Sequence, residues 1–291
     1  MKKNLFHERR IDRNGLEYKE KSVLITGGSQ GIGLGCARVF AEAGANVVIC
    51  ARRADVGEQA AAEIREKGGD CVFVACDVNK EDDIKNAVEF TVQRNGKLDL
   101  LLNNAGYHPG FHPVDDYSVS DFTKLIQTNL VSYYISIKYA LPHIRKARGN
   151  IINMGSLTGQ FGQEGSCIYA AVKGAIASLT KSLAIEEGRY GVRVNCVSPG
   201  NIITQSRLDN IDKFDDGAYF DNLCDRWQPN GCSGYVEEVG HVCLFLASDL
   251  ASYVTGIDFI VSGGSELGYG AKYPLLTLEH TVGLTLGQMF E

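Results

Sequence analysis

Three side chains in the sequence have the types and the spacing that proton transfer requires: Ser156, Tyr169 and Lys173. Tyr169 and Lys173 stand four residues apart in a segment with helical periodicity, so they share one face of a helix. A free tyrosine hydroxyl has a pKa of about 10, too high for proton transfer at neutral pH. An ammonium about 4 Å away contributes up to about 4 kcal/mol at an intermediate dielectric constant, so we predict that Lys173 lowers the pKa of Tyr169. With Ser156 at the end of the preceding predicted strand, the pattern indicates acid–base chemistry on an alcohol or carbonyl oxygen.

A glycine-rich turn follows the first predicted strand and begins the first predicted helix. It runs Thr-Gly-Gly-Ser-Gln-Gly-Ile-Gly over residues 26–33. Backbone N–H groups at a helix N-terminus bind pyrophosphate, and glycines let the ligand approach the backbone closely. The turn therefore predicts a dinucleotide site. The residues assigned to it are Gly27, Ser29, Gln30, Gly31, Ile32 and Gly33.

The end of the second predicted strand bears on the choice of cofactor. An NAD site places a carboxylate here to bind the ribose 2′-OH, whereas this sequence has Ala51 followed by Arg52 and Arg53. A guanidinium can bind the 2′-phosphate of NADP. From Arg52 we predict a preference for NADP, with NAD as the alternative. A solvated loop with no cofactor contact is the other interpretation of the two arginines.

The segments that position these residues alternate between short apolar runs and helical patterns. Repeated strand–helix–strand order predicts an α/β fold, a doubly wound Rossmann-type parallel sheet with helices on both faces. Continuous apolar strands agree, because both faces of such a sheet are covered. We expect Pro142 to interrupt or bend the long helical stretch. The predicted strands are residues 22–26, 46–51, 71–75, 98–102, 150–154, 193–197 and 259–261, and the helices are 31–43, 57–67, 81–95, 118–147, 168–187 and 237–247.

No linker or repeat divides the chain, so we expect a single dinucleotide-binding domain over residues 21–270. A polar extension, residues 1–20, precedes it, and a C-terminal tail, residues 271–291, follows it. Residues 204–234 combine weak periodicity with many acidic side chains. A structureless connection of that length predicts a lid over the substrate.

Composition and charge exclude other classes of protein. The 291 residues carry a formal net charge of −6 and no dense run of Lys or Arg, which argues against a nucleic-acid partner. No uninterrupted apolar run approaches the length of about 18 residues that a membrane span needs. Nine cysteines without a Cys-x-x-Cys pair indicate a reducing compartment, so we expect a cytoplasmic protein without disulfides. No histidine has the spacing of a metal ligand.

Taken together, residues 21–270 resemble the short-chain dehydrogenase/reductase family. Residues 26–33 are similar to its cofactor motif, and residues 103–106, Asn-Asn-Ala-Gly, to its second signature. The resemblance implies NAD(P)-dependent interconversion of a secondary alcohol and a ketone, with Tyr169 as the acid/base. It also implies that Lys173 bonds the nicotinamide ribose and that Asn129 completes the catalytic set by holding a water of the proton relay.

The same resemblance implies further cofactor contacts. Asp77 corresponds to the acid that contacts adenine, and the segment after the sixth strand to the one that grips the nicotinamide carboxamide. That segment contributes Pro199, Gly200, Ile202 and Thr204, and the remaining assigned residues are Val78, Asn104, Ala105 and Gly106.

Within the family, residues 103–110, 190–202 and 263–272 are similar to those of a 17-beta-hydroxysteroid dehydrogenase. This implies that His108, Gln163 and Tyr269 line the substrate pocket and that the substrate is a hydroxysteroid. A sugar such as L-fucose, or a general carbonyl compound, is the alternative substrate. A non-catalytic sensor of NADP(H) is a more distant alternative. The family resemblance further implies a homotetramer.

Overall fold

The computed structural model describes residues 16–205, 207–208 and 225–267. Its strands are β1 (Ser22–Thr26), β2 (Asn46–Ala51), β3 (Asp70–Ala75), β4 (Leu100–Asn103), β5 (Asn150–Met154), β6 (Arg193–Pro199), β7 (Ile202–Ile203), β8 (Gly234–Tyr235) and β9 (Asp258–Val261). Seven of these described strands form one parallel sheet in the order β3-β2-β1-β4-β5-β6-β9, and β7 pairs with β8. This is the predicted doubly wound Rossmann-type fold.

Helices cover both faces of the sheet. They are α1 (Gly31–Glu42), α2 (Ala54–Glu66), α3 (Glu81–Asn95), α4 (Val119–Ile126), α5 (Ser132–Ala147), α6 (Cys167–Glu187) and α7 (Val236–Ala247). Buried side chains of α1, α2 and α7 join one core cluster, and those of α3, α5 and α6 join the other. In β1 the fully buried Val23 and Ile25 face the first cluster and Leu24 the second, which explains why the strand is apolar throughout. Each such side chain contributes about 1.5–3 kcal/mol by burial.

The long helical stretch is interrupted upstream of the predicted place. Helix α5 continues through Pro142 to Ala147, so an interruption at Pro142, one of the two predicted outcomes, is wrong. Pro142 is exposed, while Ala140 and Ile144 on either side are buried against the sheet. That packing offsets the backbone hydrogen bond that a proline cannot donate. The interruption is instead a π-helical turn, Gln127–Val131, between α4 and α5.

Other boundaries differ from the predicted ones by one to three residues; α2, for example, begins at Ala54 instead of residue 57. The pair of short strands β7 and β8 was not predicted, because two-residue strands leave no periodicity to detect. Residues 206 and 209–224 of the predicted lid lie outside the described residues, as do residues 1–15 and 268–291. Six cysteines of apolar segments are buried: Cys36, Cys50, Cys71, Cys76, Cys196 and Cys243.

One segment, Cys167–Tyr190, is long and apolar enough to cross a membrane by length and composition. Its helix α6 packs between the sheet and α4, and buries Ile176 and Leu183 against the protein core. It also buries the side chain of Lys173. We therefore interpret the apolar character of α6 as that of a core helix.

Candidate active site

The glycines of the turn between β1 and α1 stand at positions that disfavour a side chain, by close packing or by backbone conformation. Gly27 and Gly31 have φ values of +66° and +55°, in the left-handed region that favours glycine. A Cβ on Gly33 would lie 2.3 Å from the carbonyl oxygen of Gly27 and 2.5 Å from Nδ2 of Asn104. The turn is therefore a cradle of bare backbone at the N-terminus of α1, as pyrophosphate binding requires.

The loop after β4 is bonded to this turn. The backbone N–H groups of Asn104 and Ala105 donate to Thr26 Oγ1 over 3.0 and 3.1 Å. Asn104 Nδ2 donates to the carbonyl oxygens of Thr26 and Gly27, both at 3.1 Å. Because β1 lies between β2 and β4, the strand order reverses here, and open α/β sheets bind their ligands at such a point. The fold therefore places a dinucleotide cradle where ligands are expected.

A cleft of about 570 Å³ opens at this edge of the sheet. Most of the predicted residues line it: Gly27, Ser29, Gln30, Gly31, Ile32, Arg52, Val78, Asn104, Ala105, Gly106, His108, Ser156, Tyr169, Lys173, Pro199, Gly200 and Thr204. The lining also includes residues that the sequence analysis did not assign: Arg53, Cys76, Asn79, Tyr107, Thr128, Met154, Gly155 and Gln205.

Four predicted cofactor or substrate residues are placed elsewhere or outside the described chain. Gly33 acts through backbone packing behind the turn, and Ile202 is buried in β7. Gln163 is exposed on the loop before α6, where its Oε1 accepts a hydrogen bond from Thr158 Oγ1 at 3.0 Å. These three residues do not line the cleft. Tyr269 lies outside the described residues.

Asp77 also acts through a neighbour and does not line the cleft. Its Oδ1 accepts hydrogen bonds from both the backbone N–H and Nδ2 of Asn79, at 3.1 Å each. Asn79, which does line the cleft, accepts a further hydrogen bond from Thr128 Oγ1 at 2.9 Å. Asp77 thus orients Asn79, one of the polar side chains that line this end of the cleft.

Asn129, which the family resemblance assigns to the proton relay, does not line the cleft either. It is fully buried in the π-helical turn, where its Oδ1 accepts a hydrogen bond from the backbone N–H of Tyr107 at 3.1 Å. Its Nδ2 donates to the carbonyl oxygen of Tyr107 at 2.9 Å. Because both ends of the amide hold one peptide segment, Asn129 fixes the loop that carries His108 beside the cleft.

Ser156, Tyr169 and Lys173 come together at the middle of the cleft. Ser156 follows β5, and the other two lie one turn apart on α6. Ser156 lies close enough to the Tyr169 hydroxyl to lower the pKa of the tyrosine. Lys173 is buried, and its Nζ donates to the carbonyl oxygen of Met154 over 2.7 Å while lying 5.7 Å from the centroid of the Tyr169 ring.

The pKa values of Tyr169 and Lys173 differ from those expected from the sequence. Burial raises the pKa of Tyr169 to about 12, and Ser156 only partly counteracts it. Burial lowers the pKa of Lys173 to about 8. The prediction that Lys173 lowers the pKa of Tyr169 is wrong for this structure, because desolvation disfavours both charges and Nζ bonds to Met154 instead. Tyr169 is therefore protonated at neutral pH and can donate its proton.

His108 packs beside the tyrosine. Its ring centroid lies 4.4 Å from that of Tyr169, and its Nε2 lies 3.3 Å from Oγ of the buried Ser166. His108 Nδ1 accepts a hydrogen bond from the backbone N–H of Gly110 at 3.1 Å, which assigns the ring hydrogen of the neutral form to Nε2. Burial lowers the pKa of His108, which favours that neutral form. The ring therefore presents a fixed polar edge next to Tyr169.

Two arginines lie at the opposite end of the cleft. Arg52 and Arg53 both line it, and both are exposed. Arg53 Nη2 donates a hydrogen bond to Oε1 of Gln30 in the glycine turn. The sequence analysis gave the role of phosphate ligand to Arg52 and did not connect Arg53 with Gln30, because that contact joins residues 23 positions apart.

Comparison with known proteins gives a consistent result. A family model described as Enoyl-(Acyl carrier protein) reductase matches residues 27–266. L-fucose dehydrogenase of Bos taurus is 43% identical over 89% of this chain and 94% of its own length, and that of Rattus norvegicus is 42% identical over 90% and 95%. (+)-Borneol dehydrogenase 2 of Salvia officinalis is 37% identical over 83% and 87%. The crystal structure of Cj0485 dehydrogenase superposes with a TM-score of 0.81 at 29% identity, covering 88% of this chain and 99% of that one.

Proposed function

Since this chain belongs to the short-chain dehydrogenase/reductase family, whose members are NAD(P)-dependent oxidoreductases, we propose that it oxidises a secondary hydroxyl of a sugar such as L-fucose. The observation that carries the proposal is the polar edge of His108 beside Tyr169, backed by Ser166. A sugar carries hydroxyls on the carbons next to the reacting one, and such a hydroxyl would share the Nε2–H of His108 with Ser166 Oγ, which lies 3.3 Å from Nε2. The similarity to L-fucose dehydrogenases supports the same substrate class.

A hydroxysteroid is the second candidate. Residues 103–110, 190–202 and 263–272 resemble those of 17-beta-hydroxysteroid dehydrogenase type 14. The specific observation in its favour is apolar surface at the cleft, where Tyr107 is 43% exposed and Phe111, packed against His108, is 55% exposed. The L-fucose dehydrogenases among the relatives favour the sugar.

The proton chemistry falls to residues of α6 and the loop after β5. Tyr169 donates its hydroxyl proton to a carbonyl oxygen in reduction and takes the proton back in oxidation. The Ser156 hydroxyl accepts a hydrogen bond from the backbone N–H of Thr158 at 3.2 Å, which orients it toward the substrate oxygen. Lys173, held by Met154, lies where it can bond a ribose hydroxyl. The bound nicotinamide supplies or accepts the hydride.

The lining residues fit a dinucleotide laid along the cleft. The glycine cradle and the N-terminus of α1 would hold the pyrophosphate, and Cys76, Val78 and Asn79 would surround the adenine. Pro199, Gly200 and Thr204 would flank the nicotinamide. We propose NADP(H) as the preferred cofactor, because Ala51 offers no carboxylate to the ribose 2′-OH and two guanidinium groups lie beside it. NAD(H) is the alternative.

We also propose a homotetramer, in line with the family resemblance. Two large apolar side chains on helices of one face support association: Tyr134 on α5 is 58% exposed and Ile185 on α6 is 82% exposed. Burying such side chains against a second copy would remove apolar surface from water. Light scattering of the purified protein would give the subunit count.

Steady-state kinetics with both cofactors would test the proposed activity against L-fucose and related sugars, 17-beta-hydroxysteroids and simple carbonyl compounds. We expect the highest kcat/KM for sugars with NADP⁺. Turnover confined to steroids would transfer the assignment to the second candidate. Tight cofactor binding without turnover of any compound would indicate a sensor instead of an enzyme.

A further inference from the structure

We propose that Gln30 is a positioning residue that selects NADP(H) by holding Arg53 at the subsite for the 2′-phosphate. The inference rests on the proposed NADP preference and adds what creates it. It moves the decisive contact from Arg52 to Arg53. It also gives a purpose to Gln30, an uncharged polar side chain of the glycine turn.

The strand register brings the two residues together. Thr26 pairs with Cys50 at the ends of β1 and β2, so the turns that follow these strands lie side by side. Gln30 precedes α1 in extended conformation, with φ −161° and ψ 171°, and Arg53 immediately precedes α2. Their side chains meet across the mouth of the cleft, where Arg53 Nη2 donates to Gln30 Oε1.

The amide is suited to this task because it is neutral. It accepts a hydrogen bond from the guanidinium and so fixes its orientation, but it leaves the positive charge uncompensated. A guanidinium has five N–H donors, so four remain after the bond to Gln30, enough for a bidentate contact to a phosphate. A carboxylate at position 30 would orient Arg53 equally well and cancel its charge.

Ala51 completes the arrangement. A carboxylate at position 51, where NAD sites carry one, would stand beside both arginines and compete with a phosphate for them. Alanine leaves that space without a negative charge. The three positions therefore act together. Ala51 has no carboxylate that would compete with the 2′-phosphate, Arg53 supplies the positive charge, and Gln30 fixes the orientation of the Arg53 guanidinium.

Gln30 can be substituted without removing another interaction that the structure assigns to it. It stands at the N-cap of α1 but makes no side-chain capping hydrogen bond there. Gln30→Ala therefore removes the contact with Arg53 and keeps the charge of Arg53. Gln30→Glu keeps the contact and neutralises that charge. Arg53→Lys is the third variant, because it keeps the charge and loses the planar fork.

Binding of two fragments to the full-length protein tests the proposal without any turnover. Isothermal titration would give dissociation constants for 2′,5′-ADP and 5′-AMP, which differ only in the 2′-phosphate. We expect wild type to bind 2′,5′-ADP at least about tenfold more tightly, the size of one charge-assisted contact. Gln30→Ala should reduce this ratio about threefold to tenfold, and Gln30→Glu should bring it close to one, with the larger loss of affinity falling on 2′,5′-ADP in both.

The outcomes separate this inference from the proposed function. Equal affinity of wild type for the two fragments would remove the NADP preference itself. The preference for 2′,5′-ADP over 5′-AMP could instead survive in Gln30→Ala and Gln30→Glu and be lost in Arg52→Ala. That result would overturn the role of Gln30 and identify Arg52 as the ligand of the 2′-phosphate. Equal weakening of both fragments in Gln30→Ala would also overturn it, because that pattern indicates damage to the glycine turn. In the double variant Gln30→Ala/Arg53→Ala, the ratio should be no lower than in Arg53→Ala alone.

Discussion

The rings of His108 and Tyr169 lie with their centroids 4.4 Å apart and their planes inclined by 55°. A substrate whose oxygen reaches the Tyr169 hydroxyl would therefore lie near the imidazole. That edge is oriented from two sides, by the backbone N–H of Gly110 on Nδ1 and by the Ser166 hydroxyl near Nε2. The relationship makes His108 the polar group best placed to distinguish one substrate from another.

Replacing His108 by phenylalanine should therefore change substrate affinity and not cofactor affinity. The variant keeps an aromatic ring against Tyr169 but removes both ring nitrogens. We expect KM for L-fucose to rise about tenfold, the value of one hydrogen bond in the site, with the cofactor dissociation constant unchanged. Ser166→Ala, which only frees the ring, should raise KM less. Gln163→Ala is the matched control, because Gln163 bonds to Thr158 outside the cleft; an effect there as large as that of His108→Phe would contradict the assignment.

Removing the hydroxyl of Tyr169 should abolish the acid/base step. In Tyr169→Phe we expect kcat to fall by at least about 100-fold, because no other hydroxyl replaces the proton donor at that position. Cofactor binding should survive, since the ring itself stays in place. The measurement is kcat together with cofactor titration by fluorescence quenching. Near-normal turnover in this variant would show that another group transfers the proton.

Lys173 should matter in two ways. Its Nζ is buried and bonded to the carbonyl oxygen of Met154, in the part of the cleft that a nicotinamide ribose would occupy. Lys173→Ala should therefore weaken cofactor binding, unlike Tyr169→Phe, and it should also lower kcat because a nicotinamide whose ribose is not held is poorly placed relative to Tyr169. Titration of both variants with the same cofactor separates the two roles. Cofactor affinity equal to that of wild type in Lys173→Ala would leave the lysine with a role in catalysis alone.

The pKa of Tyr169 sets the pH dependence. Oxidation needs the tyrosinate, and burial raises the pKa of Tyr169 to about 12, so the active fraction grows tenfold per pH unit below that value. We expect kcat/KM for oxidation to keep rising from about pH 6 to about pH 10, since this parameter reports the free enzyme. Reduction uses the protonated form, so loss of Tyr169 protonation should not limit it in that range. A plateau in the oxidation profile near neutral pH would show that the pKa is lowered after all.

The sequence was sufficient for the parts of the site that depend on one element at a time. The glycine turn lies between a strand and a helix, and Tyr169 and Lys173 lie one turn apart on α6, so local spacing places each of them. The pairs Gln30–Arg53 and His108–Ser166 join residues 23 and 58 positions apart. Such contacts depend on strand register and on loop conformation, which periodicity does not encode.

The pKa of Tyr169 could not be predicted for a related reason. Spacing along the helix gives the distance between two Cβ atoms but not the direction of a long side chain. Lys173 turns to the carbonyl oxygen of Met154, and the depth of burial, a property of the whole fold, then decides the sign of the shift. The role of Asn129 likewise depends on the π-helical turn, which could not be predicted from the sequence.

The buried amide of Asn129 gives two opposed expectations. A residue that holds a water of the proton relay should affect kcat when it is replaced. A residue that clamps the backbone of Tyr107 should affect stability and the position of His108. The structure favours the clamp, because Oδ1 and Nδ2 bond to the N–H and the carbonyl oxygen of the same residue.

We therefore predict that Asn129→Asp lowers the free energy of unfolding and raises KM, with a smaller effect on kcat. A carboxylate keeps an acceptor for the Tyr107 N–H but loses the donor to its carbonyl oxygen, which costs about 1–3 kcal/mol for a buried group left unsatisfied. Urea unfolding gives the stability, and steady-state kinetics give KM and kcat. Thr123→Ala, at an exposed position of α4, is the control for helix damage. A variant with wild-type stability and KM but a kcat reduced 100-fold would refute the clamp and restore Asn129 to the relay.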